Sequence, residues 1–557
     1  MGIPFNDSSR VKSSFLLALA AFAALSFGVS YGNVANQATY FLHALQALDP
    51  SLYPRDWLIQ ETTAYHSVFR WVILALATLG PLPWAAAILN TLLLGVCLWL
   101  FVRIVQLLEP QAPGVTFLIA LVFIGFDQTM SVAGTYILGN GLQPSTLATA
   151  GWCAAMLAFL RDKPLHSGLL LAASGIFHVN FLLLGIGLFG LAQLILMERD
   201  WVRRICAQVL PSVVMTAFFL PVILDAGSGE QAPLARTIFQ SIRAPHHYLP
   251  THYLFDFVYI GGWTIAGFCA CAMLPERKQR RLVAALLGSI TLCVAGATLL
   301  TTLVFIPTIA QLFVWRIAPF GQLLAQLLIA CAVIGLIREP ASLRRNRASW
   351  IGIALSLLLI LRWCLSMMPV TEPRLLIVAL TLLTVAASVV WQSRFQQHRV
   401  PATTTVVIGV LAIALLGLNM RDQLNRSTLV GPPTPITELS QWARTTRSDA
   451  LFLIPPALDE FRLLSQRSVV VDWKSTPVSA PQLLAWYARI SDIVGRKVES
   501  ENDVVRGYRA LDAVQLQQLA RKYGAGYVVV ETAHPARFPD QAVYQNQGYS
   551  VHVVLAE

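Results

Sequence analysis

Charge is scarce in this chain. Of 557 residues only 12% are Asp, Glu, Lys or Arg, 56% are hydrophobic, and the mean hydropathy is +0.62. A soluble globular protein of this length cannot cover its surface with so few polar residues, so that class is excluded. Cysteine is missing from everything after residue 364, which rules out disulfides and cysteine zinc sites in the polar C-terminal stretch. The eight cysteines present (97, 153, 206, 269, 271, 293, 331 and 364) all sit in apolar segments. Cys269 and Cys271 are two apart on one apolar helix, point different ways and read as helix filler. A Walker pattern is absent from the chain, and GxSxG and HExxH are absent from its polar C-terminal stretch, so no P-loop, and in that stretch no serine-hydrolase elbow or zinc-protease motif, is offered.

What is present is a series of long apolar runs from Ser14 to Met420. Runs of about 18 to 25 residues suffice to cross roughly 30 Å of hydrocarbon. The sequence therefore predicts a polytopic α-helical membrane protein. The first run, Phe15 to Val29, follows Arg10 and Lys12 and lacks a convincing cleavage site, so it reads as a retained signal anchor. The formal charge of +11 follows from topology rather than from nucleic-acid binding. Lys and Arg gather in short turns at 161–163, 199–204, 276–281, 338–347 and 394–399, as expected of cytoplasmic loops.

Those turns predict a cytoplasmic N-terminus and about thirteen crossings. They fall near 14–31, 84–106, 115–126, 145–160, 168–178, 181–197, 205–224, 254–274, 282–305, 314–337, 349–368, 374–392 and 403–420. The apolar stretch 67–80 is left as an interfacial or re-entrant helix, because a further crossing would reverse the alternation. Two domains result: 1–425, transmembrane with an external loop 32–66, and 426–557, a soluble extracytoplasmic domain. In the second, ALFLIPP, SVVVDWK, GYVVVET and SVHVVLA read as strands, and EFRLLSQ as a helical turn. Helical patterns at 479–494 and 512–523 complete a small α/β sheet covered on both faces. GPPTP is a Pro-rich linker, and Thr437 is expected to cap the helix that follows it.

The external loops hold the informative polar residues. In the first, Pro50 and Pro54 enforce turns that present Asp49 and Asp56 among aromatics. A carboxylate at a membrane boundary is costly to desolvate. It can act as a general base on an acceptor hydroxyl or ligate a divalent metal. The plainer alternatives are that Asp49 caps a turn and Asp56 pairs with Arg55 or Arg70, while Glu61 and His66 are interfacial residues. Asp127 ends the apolar run VFIGFDQTM and is a candidate second carboxylate. The loop 225–253 carries Arg236, Arg243 and APHHYLPTHY, in which His246, His247, Tyr248 and His252 form a basic, aromatic patch. Arginine grips phosphate oxygens and rings face sugars, although an aromatic belt would look similar. Arg316 and Arg374 lie near external helix ends, where arginines bind phosphate or snorkel. His178 and Asn180 read as contacts between helices, and Asp459, Glu460, Asp472 and Lys474 show no catalytic pattern.

The layout resembles the GT-C superfamily of membrane glycosyltransferases, which use polyprenyl-phosphate-linked sugars. The matching elements are the internal N-terminus, an acidic first external loop, about thirteen crossings and an external α/β domain. The segments NQATYFLHALQALDPSLYPRDW and ALFLIPP…FRLLSQRSVVVDWK also resemble uncharacterised bacterial membrane proteins near this superfamily. By this resemblance Asp56, with Asp49 second, is the base, and Asp127, Arg236, Arg243, His246, His247, Tyr248, Arg316 and Arg374 bind substrate. The implied partners are a polyprenyl-phosphate-linked sugar, the lipid bilayer and a glycan, lipid or protein acceptor, at the bacterial inner membrane. No cofactor is expected, a divalent metal being the alternative. The chain departs from the family in having no adjacent acidic pair and no WWD-type motif, which argues against a peptide acceptor. A transporter or flippase-like protein, or a noncatalytic scaffold of envelope polysaccharide synthesis, is the rival reading.

Overall fold

The computed structural model describes residues 7–28, 34–62, 66–126, 137–139, 141–225, 230–249, 254–340, 352, 372–395, 399–477 and 479–554. Apart from residue 352, the expected crossing 349–368 lies outside them, as do Asp127 and His252. The remaining expected crossings are helices: 7–28, Leu82–Leu108, Pro113–Phe126, Pro144–Leu160, Pro164–Gly175, Val179–Leu196, 201–225, 254–272, Arg277–Thr302, Ala318–Arg338, 372–395 and Ala402–Arg426. Among the described residues seven helices are long and apolar enough to cross a membrane, and further apolar helices are shorter. The protein is a multi-pass membrane protein with a helical bundle.

Proline starts several of these helices. Pro113, Pro144 and Pro164 each sit in the first turn, where the missing N–H costs nothing. The stretch after Tyr65 forms a helix of 12 residues, Ser67–Thr78. At 1.5 Å per residue it spans about 18 Å, less than the hydrocarbon core, as does the equally short Pro164–Gly175. It buries Phe69 and Ile73 and leaves Trp71 70% exposed.

Most basic turns meet at one end of the bundle. Asp162 binds both Arg204 and Lys278, Glu109 holds Arg338 at 3.2 Å, and Glu198 holds Arg281 at 3.1 Å. The other end carries the C-terminal domain. Its sheet runs β2-β1-β3-β5-β4, with β1 Leu451–Leu453, β2 Ser468–Val469, β3 Tyr527–Glu531, β4 Tyr544–Gln545 and β5 Tyr549–Val553. β1 is parallel to β2 and β3; β5 is antiparallel to β3 and β4. The expected C-terminal strand is therefore antiparallel but internal, because β4 takes the edge. The first helix of the domain begins at Pro435 rather than beyond the linker. Thr434 caps it, and Thr437, the expected cap, instead closes the reciprocal side of a capping box.

Alternation along the strands decides how the domain sits. Phe452, Val529 and Val551 face Leu439 and Phe461 on one side of the sheet. Leu451, Leu453, Val528 and Val530 face the other, which packs with Trp486 and Ile490. Phe41, Leu42, Tyr53, Trp57 and Leu58 of the first external loop belong to that same apolar cluster. Leu42 is thus buried under the domain, whereas Leu48 remains 45% exposed. Burial of this apolar surface, worth about 25 cal/mol per Å², makes loop and domain one packing unit.

Candidate functional site

The domain joint is closed by a charged triad. Asp56 caps the helix Trp57–Glu61, its Oδ1 accepting from Leu58 N at 3.1 Å. Its Oδ2 accepts from Arg462 Nε at 2.8 Å and Val469 N at 3.0 Å. Arg462 also donates to Asp472, which accepts from Ser475 N at 2.6 Å through its other oxygen. None of the three charged side chains is more than 2% exposed. The ion partner of Asp56 is therefore Arg462, not Arg55 or Arg70; Arg55 donates to the Gly524 carbonyl at 2.8 Å. With three donors on one buried carboxylate, Asp56 is a joint between loop and domain. Asp49 is exposed and caps its own turn, accepting from Ser51 N at 2.9 Å and Ser51 Oγ at 2.6 Å.

A different set of residues gathers on the membrane side of the triad. The third loop folds into the helix Ala232–Ile238, a wide turn Phe239–Arg243 and the short helix Pro245–Tyr248. This geometry sends Arg243 across to the domain. Its Nε donates to Thr476 Oγ1 at 2.9 Å and its Nη2 to the Lys474 carbonyl at 3.0 Å, with the guanidinium 5.3 Å from the Trp473 ring centre. Tyr248 lies against Phe313 at 4.6 Å and His247 edges the same ring at 5.7 Å, with His246 beside it at 4.1 Å. Arg316 stands 4.6 Å from that ring and 3.2 Å from His178 Nε2. His178 neighbours His66 at 5.3 Å, which in turn meets Tyr40 at 5.4 Å. Asn180 donates to the Leu312 carbonyl at 2.6 Å, bracing this rim.

The structure thus brings Arg243, His246, His247, Tyr248 and Arg316 together and adds His66 and His178. Arg236 is half-buried on the helix Ala232–Ile238, which packs on the domain helix Ala480–Ile493. Arg374 is engaged by Asp422 at 2.5 Å between the helices 372–395 and Ala402–Arg426. Two domain residues complete the group. Asp459 accepts from Lys474 N at 3.1 Å, its one hydrogen bond among the described residues. Burial and the neighbouring Asp472 push its carboxyl up to about 8, against the pull of Lys474 and Arg243. Burial, then Arg243, lower the Lys474 ammonium below its usual value. Burial and the Arg316 charge bring His66 down to about 4, so it is a neutral ring at pH 7. Trp473 Nε1 and His178 Nδ1 are buried without a partner among the described residues.

The sequence by itself does not pair Asp459 with Lys474, since no motif marks them; their positions after two strands are the available signal. They follow β1 and β2, which are parallel neighbours, so both loops leave from the same sheet edge. Ligand contacts concentrate at that edge in α/β sheets. Fixed cations, rings and a carboxyl group that keeps its proton near neutrality can hold a phosphate, face a sugar and exchange a proton with a hydroxyl.

A family model described as a domain of unknown function (DUF6798) matches residues 434–493, the first part of this domain. No curated protein matches the sequence. Among solved structures, ArnT from Cupriavidus metallidurans bound to undecaprenyl phosphate is 13% identical, covering 99% of this chain and 98% of that one with a TM-score of 0.50. The apo form of ArnT gives 13% identity, 98% and 97% coverage and a TM-score of 0.51. The fold is shared with ArnT over nearly the full length of both chains. The shared fold runs through bundle and domain alike. An oligosaccharyltransferase from Archaeoglobus fulgidus, tethered with an acceptor peptide, is 10% identical over 93% of this chain and 69% of that one, with a TM-score of 0.43.

Proposed function

We propose that this chain is a membrane glycosyltransferase that moves a sugar from a polyprenyl-phosphate-linked donor to a hydroxyl acceptor at the extracytoplasmic face of the inner membrane. The observation that carries the reading is the rim of Arg243, Arg316, Lys474 and histidines, set in a GT-C fold beside the domain. In the reaction the acceptor oxygen attacks the anomeric carbon, the C–O bond to phosphate breaks, and the polyprenyl phosphate leaves with the bonding pair. Arg243, Arg316 and Lys474 would take up the charge that grows on the leaving phosphate, the part of the step where fixed positive charge is worth most. The acceptor proton passes to Asp459 in its ionised form. Asp56 serves by locking loop and domain around this rim. The fixed cations supply the charge that a divalent metal would otherwise provide, so the transfer is proposed to be metal-independent.

The test uses full-length protein in proteoliposomes supplied with undecaprenyl-phosphate-linked pentoses and hexoses, reading release of undecaprenyl phosphate. Arg243→Ala and Arg316→Ala should each slow release by roughly 10- to 100-fold, the worth of a charge-assisted hydrogen bond. Release unaffected by both variants would overturn the assignment. Transport of intact donor without release would support the flippase reading instead.

A further inference from the structure

A second cationic site lies on the opposite side of the Asp56–Arg462–Asp472 triad. There the first loop and the domain enclose a groove of about 330 Å³, lined by Arg55, Asp56, Trp57, Gln60, Arg489 and Lys522 among others. Arg489 is its centre. Its guanidinium stands 4.7 Å from the Trp57 ring centre and 5.4 Å from that of Tyr523. Among the described residues it has no hydrogen-bond acceptor and no carboxylate partner, so two rings hold its position while its N–H edges stay available. Rings fix a planar cation without cancelling its charge.

The other charges of the groove do not neutralise it. Asp56 is taken by Arg462, and Asp492 accepts from Lys522 at 2.7 Å and Tyr523 at 2.6 Å. Glu61 is exposed at the rim, against Arg55 and Arg489. The floor is backbone and aliphatic, from Leu451, Val469 and Val470. The space suits a small ligand of one or two rings and is too small for a helix. A planar, ring-backed arginine beside aromatic faces is the chemistry that recognises a carboxylate or phosphate carried on a sugar.

We infer that this groove is a binding site for an anionic saccharide, with Arg489 as the residue that grips its acid group. Separated by the triad from the Arg243–Arg316 rim, it is a saccharide site apart from the transfer centre and does not depend on the reading above. Binding itself is measured without turnover, so its failure is distinct from failure of the transferase reading.

Saturation-transfer NMR on the full-length protein in detergent micelles detects millimolar ligands. D-glucuronate, glucose 6-phosphate, glucose and inorganic phosphate are the probes. At least one of the two anionic sugars should receive magnetisation, and the stronger one identifies carboxylate or phosphate as the group read. Glucose alone should bind at least about tenfold more weakly, and Arg489→Ala should weaken the anionic sugar by a similar factor. Arg55→Gln, at an exposed position, should weaken it by less. Four outcomes would overturn the inference: no signal from either anionic sugar, equal binding of glucose, displacement by inorganic phosphate at the affinity of the phosphorylated sugar, or unchanged binding in both variants.

Discussion

Asp56, buried, and Asp459, half-buried, are two carboxyl groups on either side of Arg462 and Asp472; burial raises the pKa of both, and they differ in their donors. Asp56 is met by three donors, one of them a guanidinium. Asp459 is met by one backbone N–H among the described residues, and burial beside Asp472 raises its pKa to about 8. A saturated carboxylate holds parts together, because moving any of its partners strands a buried charge. An undersaturated one can trade its proton with a substrate. Residue type and loop position do not separate these roles; the number of donors does.

The largest effect should come from removing the cation that Asp56 and Asp472 share. Arg462→Met leaves two buried carboxylates facing each other and should cost about 3–5 kcal/mol, read as a lowered Tm and protease sensitivity at the joint. Asp56→Asn should also lower the Tm, yet keep transfer where the protein stays folded. A fully folded Asp56→Asn variant with transfer abolished would break the comparison and return the base to the first loop.

Asp459→Asn should act in the opposite way, slowing transfer by about 10²- to 10⁴-fold while raising the Tm at neutral pH, because the neutral amide escapes the cost of holding that carboxyl protonated. Wild-type transfer should rise with pH through about 8, as Asp459 loses its proton, and the variant should lack that limb. Stability should move the other way. The folded carboxyl keeps its proton up to about 8, whereas the unfolded one releases it near 3.8. The folded state binds more protons between those values, so this group's contribution falls as pH climbs from 4 to 8 and is flat above. Chelation with EDTA should leave the transfer rate unchanged; a loss restored by Mg²⁺ or Mn²⁺ would show that Arg243, Arg316 and Lys474 do not suffice. The smallest effects belong to local caps. Thr434→Ala should cost about 1 kcal/mol. Asp49→Ala should cost only a few tenths and leave transfer intact.

Much of the fold was legible because its determinants are local. The apolar runs, the basic turns and the short stretch Ser67–Thr78 need only hydropathy and length. Leu451, Phe452 and Leu453 announce a buried strand by themselves. The helix Glu501–Ala510 was not expected, although Ser500 caps it through Asp503 N, because its ten residues are mostly polar or charged and only Val504, Gly507 and Tyr508 are buried. The patch around Arg243 and His247 was legible as a type of chemistry, whereas its convergence with His66, His178 and Lys474 was not. Those residues come from four separate segments, and nothing in any one of them specifies the others.

By itself, the sequence determined a membrane bundle with alternating basic turns and a polar α/β domain, because hydrophobic length and charge placement act residue by residue. Tertiary structure alone decided that Arg462, 406 positions from Asp56, would neutralise it. The same packing left Asp459 beside Lys474 and Arg243 with a single donor. The conspicuous first-loop acid, Asp56, thus became a joint, and an inconspicuous acid after β1 came to stand at the rim. The physical reason is that desolvation and ion pairing depend on what the fold brings near a carboxylate, not on its neighbours in the chain.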